Sequence, residues 1–82
     1  GPTESARPSL VRPALLGARL NVNSIPASTV VVDGRPVGQT PVMGLKVKPG
    51  PHTVVLIGPE GKRAVRSASA VAGKTATVAV RF

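Results

Sequence analysis

No cysteine occurs in the 82 residues, so neither a disulfide framework nor a thiolate metal site can form. That absence suits a cytoplasmic chain and an envelope protein equally. Tyrosine and tryptophan are missing as well, and Phe82 is the only aromatic residue. Binders of single-stranded nucleic acid stack bases on aromatic platforms, and this chain has almost none to offer. Carboxylates are scarce: Glu4, Asp33 and Glu60 are the whole set, and His52 is the only imidazole. The three acids fall in a tail and two turns, whereas general acid–base chemistry needs a positioned pair. One histidine without cysteine does not assemble a common zinc site. Long hydrophobic runs are lacking too. Val54-Val55-Leu56-Ile57 is the longest, far short of the ~20 residues that span a bilayer, and no signal peptide is legible. Apolar residues nowhere keep helical spacing for three turns. Arg12 to Leu20 comes nearest, and Pro13 and Gly17 interrupt it.

What is present is basic and aliphatic. Eleven Lys and Arg against three acids give a net charge of +8, a balance that invites acidic partners. Apolar residues make up 41% of the chain, so the core must be built from Val, Leu, Ile and Ala. Gly1-Pro2 reads as a cleaved-tag remnant. Thr3 to Gly17 is rich in proline and lacks a sustained period, as a linker from a longer parent would be. The folded part is then 18–82, about 65 residues, a size that buries only ~60% of its unfolded-chain surface.

From Arg19 onward turn signals recur at roughly ten-residue intervals, the spacing of an all-β sandwich or barrel. Leu20 and Val22 alternate with Asn21 and Asn23. Thr29 to Val32 is a β-branched run ended by Asp33-Gly34, a hairpin dipeptide. Arg35 to Pro41 reads as a bridging loop holding at most a short edge strand at Pro36-Val37. Val42 to Lys48 alternates next, which predicts Met43, Leu45 and Val47 inward with Lys46 and Lys48 outward. Pro49-Gly50 has type II turn chemistry. His52 to Ile57 is apolar enough to aggregate if left on an edge, so it is expected to be a central strand or to be covered. Gly58-Pro59-Glu60-Gly61 turns the chain into a weak strand from Lys62 to Ala72, with Val65 and Val71 on one face. Gly73-Lys74 precedes a final strand, Thr75 to Phe82, with Ala76, Val78, Val80 and Phe82 inward. Antiparallel hairpins between consecutive strands are the economical topology.

The turn order resembles the PEGA family, small all-β modules of bacterial and archaeal multidomain proteins. That family runs from a Pro-x-Gly-Ala-like turn through a strand, Asp-Gly, a Gly-x-Thr-Pro loop, a short strand and Pro-Gly to a strand opening with histidine. Asp33-Gly34, Gly38-Gln39-Thr40-Pro41, Pro49-Gly50 and His52 match it in order. The first turn departs, being Pro26-Ala27-Ser28-Thr29. Pro59-Glu60-Gly61 spells part of the family's name at the wrong point in the order. The resemblance covers Leu20 to Phe82. It implies a β-sandwich of six or seven strands, similar to transthyretin-like modules, and a non-catalytic role without a cofactor. It also implies settings such as attachment to a Ser/Thr protein kinase or a place near the cell envelope.

The residues themselves point the same way. Asp33 reads as a turn acceptor, and His52 as a strand-start residue packed over Pro49-Gly50. Ser67 and Ser69 have no neighbouring base. Gly34, Gly38 and Gly44 lead into no helix that could bind phosphate. Lys46, Lys48, Lys62, Arg63 and Arg66 are the candidate polyanion contacts, read against plain solvation and edge protection. No groove-reading helix or ribbon is legible for specific nucleic-acid recognition. A protein partner, or another domain of the parent, is the expected contact, with an acidic polymer as the alternative. The tail around Leu10-Val11 and Leu15-Leu16 reads as an extended linker, or else as a strand donor to a sheet edge.

Overall fold

A computed structural model of the protein describes residues 17–82. Seven strands pack as two sheets: β1 (Ala18–Ile25), β2 (Thr29–Val32), β3 (Arg35–Gln39), β4 (Val42–Val47), β5 (Gly50–Ile57), β6 (Arg63–Ala70) and β7 (Thr75–Arg81). One sheet has the order β4-β1-β7 and the other β3-β2-β5-β6. Among the described residues there is no α-helix, and no helix long and apolar enough to cross a membrane.

The sandwich closes because each sheet turns one aliphatic face inward. Leu20 and Val22 from the first sheet meet Val30, Val54 and Leu56 from the second, and all five are fully buried. Each contributes roughly 1.5–3 kcal/mol by leaving water. Val32, Val78, Val80 and Ala68 complete the core, and Val42, Leu45, Val47 and Phe82 pack against its margin. β5 lies between β2 and β6, so the most apolar run of the sequence is an interior strand, as its composition demanded.

Consecutive hairpins describe only part of the topology. Asp33-Gly34 joins β2 to β3, and Gly58–Gly61 joins β5 to β6, closing with Gly58 N–H on the Lys62 carbonyl at 2.7 Å. The other four connections cross between sheets. In consequence β1 pairs with β7 in parallel, from Arg19↔Thr75 to Ile25↔Arg81, so the expectation of a wholly antiparallel sandwich is corrected. Turn dipeptides mark reversals of the chain. They do not record whether the next strand rejoins the same sheet. Pro49-Gly50 illustrates this: Gly50 takes a positive φ of 125°, yet it leads from β4 into the opposite sheet.

Two bulges account for further departures. Between the pairs Leu20↔Leu45 and Val22↔Val42, both Met43 and Gly44 oppose Asn21. The extra residue shifts the alternation by one, so Met43 is 68% exposed rather than inward, while Leu45 and Val47 keep their core side. Gly44 takes φ 67° there, and its N–H donates to Asn21 Oδ1 at 2.7 Å. A second irregularity leaves Val37 between the pairs Val30↔Gly38 and Val31↔Pro36, within an edge strand longer than the two residues expected. In β6 the inner face carries alanines, Ala64, Ala68 and Ala70, and both Val65 and Val71 point to solvent.

Candidate functional site

The matched turn residues gather at the two ends of the sandwich. At the proximal end, where β1 begins, lie the Asp33-Gly34 turn, the Lys48-Pro49 link and the start of β5. Asp33 has a left-handed φ of 51°, which turns its carboxylate across to β5. One carboxylate oxygen accepts the Thr53 N–H at 2.9 Å, and the other lies 2.5 Å from His52 Nδ1. His52 Nε2 faces the Lys48 carbonyl at 2.5 Å, spanning Pro49-Gly50. Both ring nitrogens thus meet acceptors, and only the imidazolium can donate to both. The Asp33 hydrogen bond, then the Lys48 carbonyl, hold the His52 pKa above its ordinary value. His52, then the Thr53 N–H, hold Asp33 below its own.

An Asp–His pair is two-thirds of a hydrolytic triad, but here the second ring nitrogen is occupied by a main-chain carbonyl. A ring that donates to both acceptors has no lone pair left with which to take a proton from a nucleophile. What the arrangement does is clasp the β2–β3 hairpin to the entry of β5. Sequence reading placed His52 over the Pro49-Gly50 turn, and missed its partnership with Asp33. Nineteen residues separate the two, and pairing of β2 with β5 is what joins them.

At the distal end three hydroxyls share a buried cluster. Ser24 Oγ donates to the Pro26 carbonyl at 2.8 Å and lies 2.7 Å from Ser28 Oγ and 3.0 Å from Thr40 Oγ1. Thr40 Oγ1 also accepts the Ser28 N–H at 3.0 Å, and the Thr40 N–H donates to the Ser28 carbonyl at 2.9 Å. The motif threonine therefore locks the β1–β2 crossing to the β3–β4 crossing, where Ile25-Pro26 and Thr40-Pro41 are cis. Ser24 and Ser28 were not singled out in the sequence. A signal existed for Ser24, which continues the inward phase of Ala18, Leu20 and Val22.

The five candidate polyanion contacts do not form one patch. Lys46 and Lys48 lie on and just after β4, beside β3; Lys62, Arg63 and Arg66 lie on the opposite flank, where β6 neighbours β7. All five are exposed. Among the described residues the only ion pair is His52–Asp33. No group of three or more metal-ligating side chains converges among them either. A shallow depression lined by Asn23, Ser24, Ile25, Ala79, Val80 and Arg81 lies at the distal ends of β1 and β7. Leu10-Val11 and Leu15-Leu16, the candidate strand donors, fall outside the described residues.

The sequence model of the PEGA domain family matches residues 18–82. No curated protein and no solved structure matches this chain significantly.

Proposed function

The chain belongs to the PEGA domain family, and from that premise we propose that it is a non-catalytic interaction module of a larger bacterial protein, such as a Ser/Thr kinase or an envelope-associated protein. It binds another protein, or another domain of its parent, through sheet edges and turn loops. The observation that carries this reading is the use made of its polar side chains. Asp33, His52, Ser24, Ser28 and Thr40 are engaged with one another or with main-chain groups in joining strands. Exposed backbone edges and cations are what the module turns outward.

Deleting 18–82 from the parent should abolish one of its contacts while leaving its other domains folded, read by co-purification of the parent's partners. An unchanged set of contacts would leave a mere spacer. Turnover of a substrate by the isolated domain would also defeat the proposal.

A second reading, polyanion binding, is favoured by charge at the proximal end, where Arg35 opens β3, Lys48 follows β4 and Lys74 precedes β7. A salt series separates the two. Affinity for a polyanion falls steeply with salt through counterion release. Recognition by strand pairing keeps its dissociation rate nearly constant.

A further inference from the structure

The four edge strands are not equivalent. β3 has Pro36 and a bulge at Val37. β4 has the Met43-Gly44 bulge and Lys46. β6 has Arg63, and also Arg66, which pairs with buried Val54 and so occupies the inward phase of an edge. Prolines, bulges and inward-phase charges are the devices by which sheets block addition of another strand. β7 has no proline, no bulge and no inward-phase charge; its one charged residue, Arg81, is outward and lies at its last position. Thr75-Ala76-Thr77-Val78-Ala79-Val80 contains no proline and no charge, and its register with β1 runs unbroken.

The polarity of the open side follows from the ladder. Arg19 N–H bonds the Lys74 carbonyl, and Phe82 N–H bonds the Ile25 carbonyl, so even-numbered residues direct their main-chain groups to β1. Successive residues alternate. Thr75, Thr77, Ala79 and Arg81 therefore direct N–H and C=O away from the sheet, and no partner for them occurs among the described residues. All four are exposed.

Charge selects the occupant. Lys74 and Arg81 bracket the strand, and Arg63 and Arg66 lie on β6 alongside it. The carboxylate nearest in sequence to these strands is Glu60, in the turn before β6. A second copy added antiparallel would set Lys74 of one strand beside Arg81 of the other at both ends of the ladder. We propose that β7 is the docking edge of this module, and that it accepts an extended acidic segment of a partner protein, β-branched at its centre, as an added strand. This rests on the interaction-module reading and specifies it. Main-chain bonds hold the segment, while the flanking cations steer its approach.

The probe is a capped peptide, Glu-Asp-Val-Thr-Val-Thr-Val-Asp-Glu, followed by amide NMR and hydrogen exchange on the domain. The expected result is new protection at Thr75, Thr77, Ala79 and Arg81, with salt lowering the association rate and sparing dissociation. Ala79→Pro removes an N–H that β1 does not use, and should weaken binding about tenfold or more while β1 amides stay protected. Should that variant unfold, Thr77→Glu reads the same edge by repulsion and should lose comparable affinity. Equal binding of a peptide of the same charge with its central valine replaced by proline would reduce the contact to charge alone and overturn the proposal. So would self-association through β7 in sedimentation, protection confined to other strands, or no binding. The interaction-module reading stands or falls separately, on the deletion of 18–82 from the parent.

Discussion

Thr40→Val is a sharp test of what holds the distal end together, because it changes a hydroxyl to a methyl at constant shape and β propensity. Thr40 is 8% exposed and Ser28 4%, so water does not readily replace the lost acceptor. The Ser28 N–H would lose its 3.0 Å partner, and Ser24 Oγ one of its three contacts. Leaving one buried main-chain donor unpaired costs about 1–3 kcal/mol. For a domain this small each kcal/mol lowers the melting temperature by about 4–8 °C, so a fall of roughly 4–24 °C is expected. Thr40→Ser keeps the hydroxyl and deletes one methyl, a loss of about 0.8 kcal/mol. The order of stability should therefore be wild type, serine, valine, although valine is the most apolar of the three. Thermal and urea unfolding by circular dichroism give the ranking, and hydrogen exchange at the Ser28 amide locates its origin. A valine variant at least as stable as the serine variant, with the Ser28 amide still protected, would refute the reasoning.

The Asp33–His52 clasp predicts a pH dependence. A raised His52 pKa contributes stability that is complete below about 6.5 and is lost as pH rises through the higher folded-state value. The lowered Asp33 pKa contributes above about 3.8 and is lost as pH falls through its folded-state value. Melting temperature should thus decline from pH 6 into the alkaline range in the wild type, and the decline should be absent in His52→Gln; parallel profiles would exclude the clasp. Leu56→Ala in the fully buried core should cost about 2–5 kcal/mol, a large part of a small domain's stability, read from the urea midpoint. At the β4 bulge, Met43→Lys should change stability by no more than about 0.5 kcal/mol. Gly44→Ala, forced to φ 67°, should cost about 1 kcal/mol or more by the same unfolding assay.

Residue order alone determined the all-β class, the aliphatic core and the turn positions, because strand alternation and turn chemistry are local properties. It also determined that Val54 to Ile57 had to be interior, since an exposed run of that composition would aggregate. Which strands become neighbours was decided by tertiary packing. The parallel pairing of β1 with β7 joins the two ends of the fold, and no local signal records a partner more than fifty residues away. Met43 alone in β4 departs from its expected face, for a related reason: the bulge at Met43-Gly44 exists only opposite Asn21, whose side chain bonds the Gly44 N–H. The same holds for the polar clusters. Asp33, His52 and Thr40 stood out as turn residues, but their work is to bond across strands, and such partners become definable only when the sheets have formed.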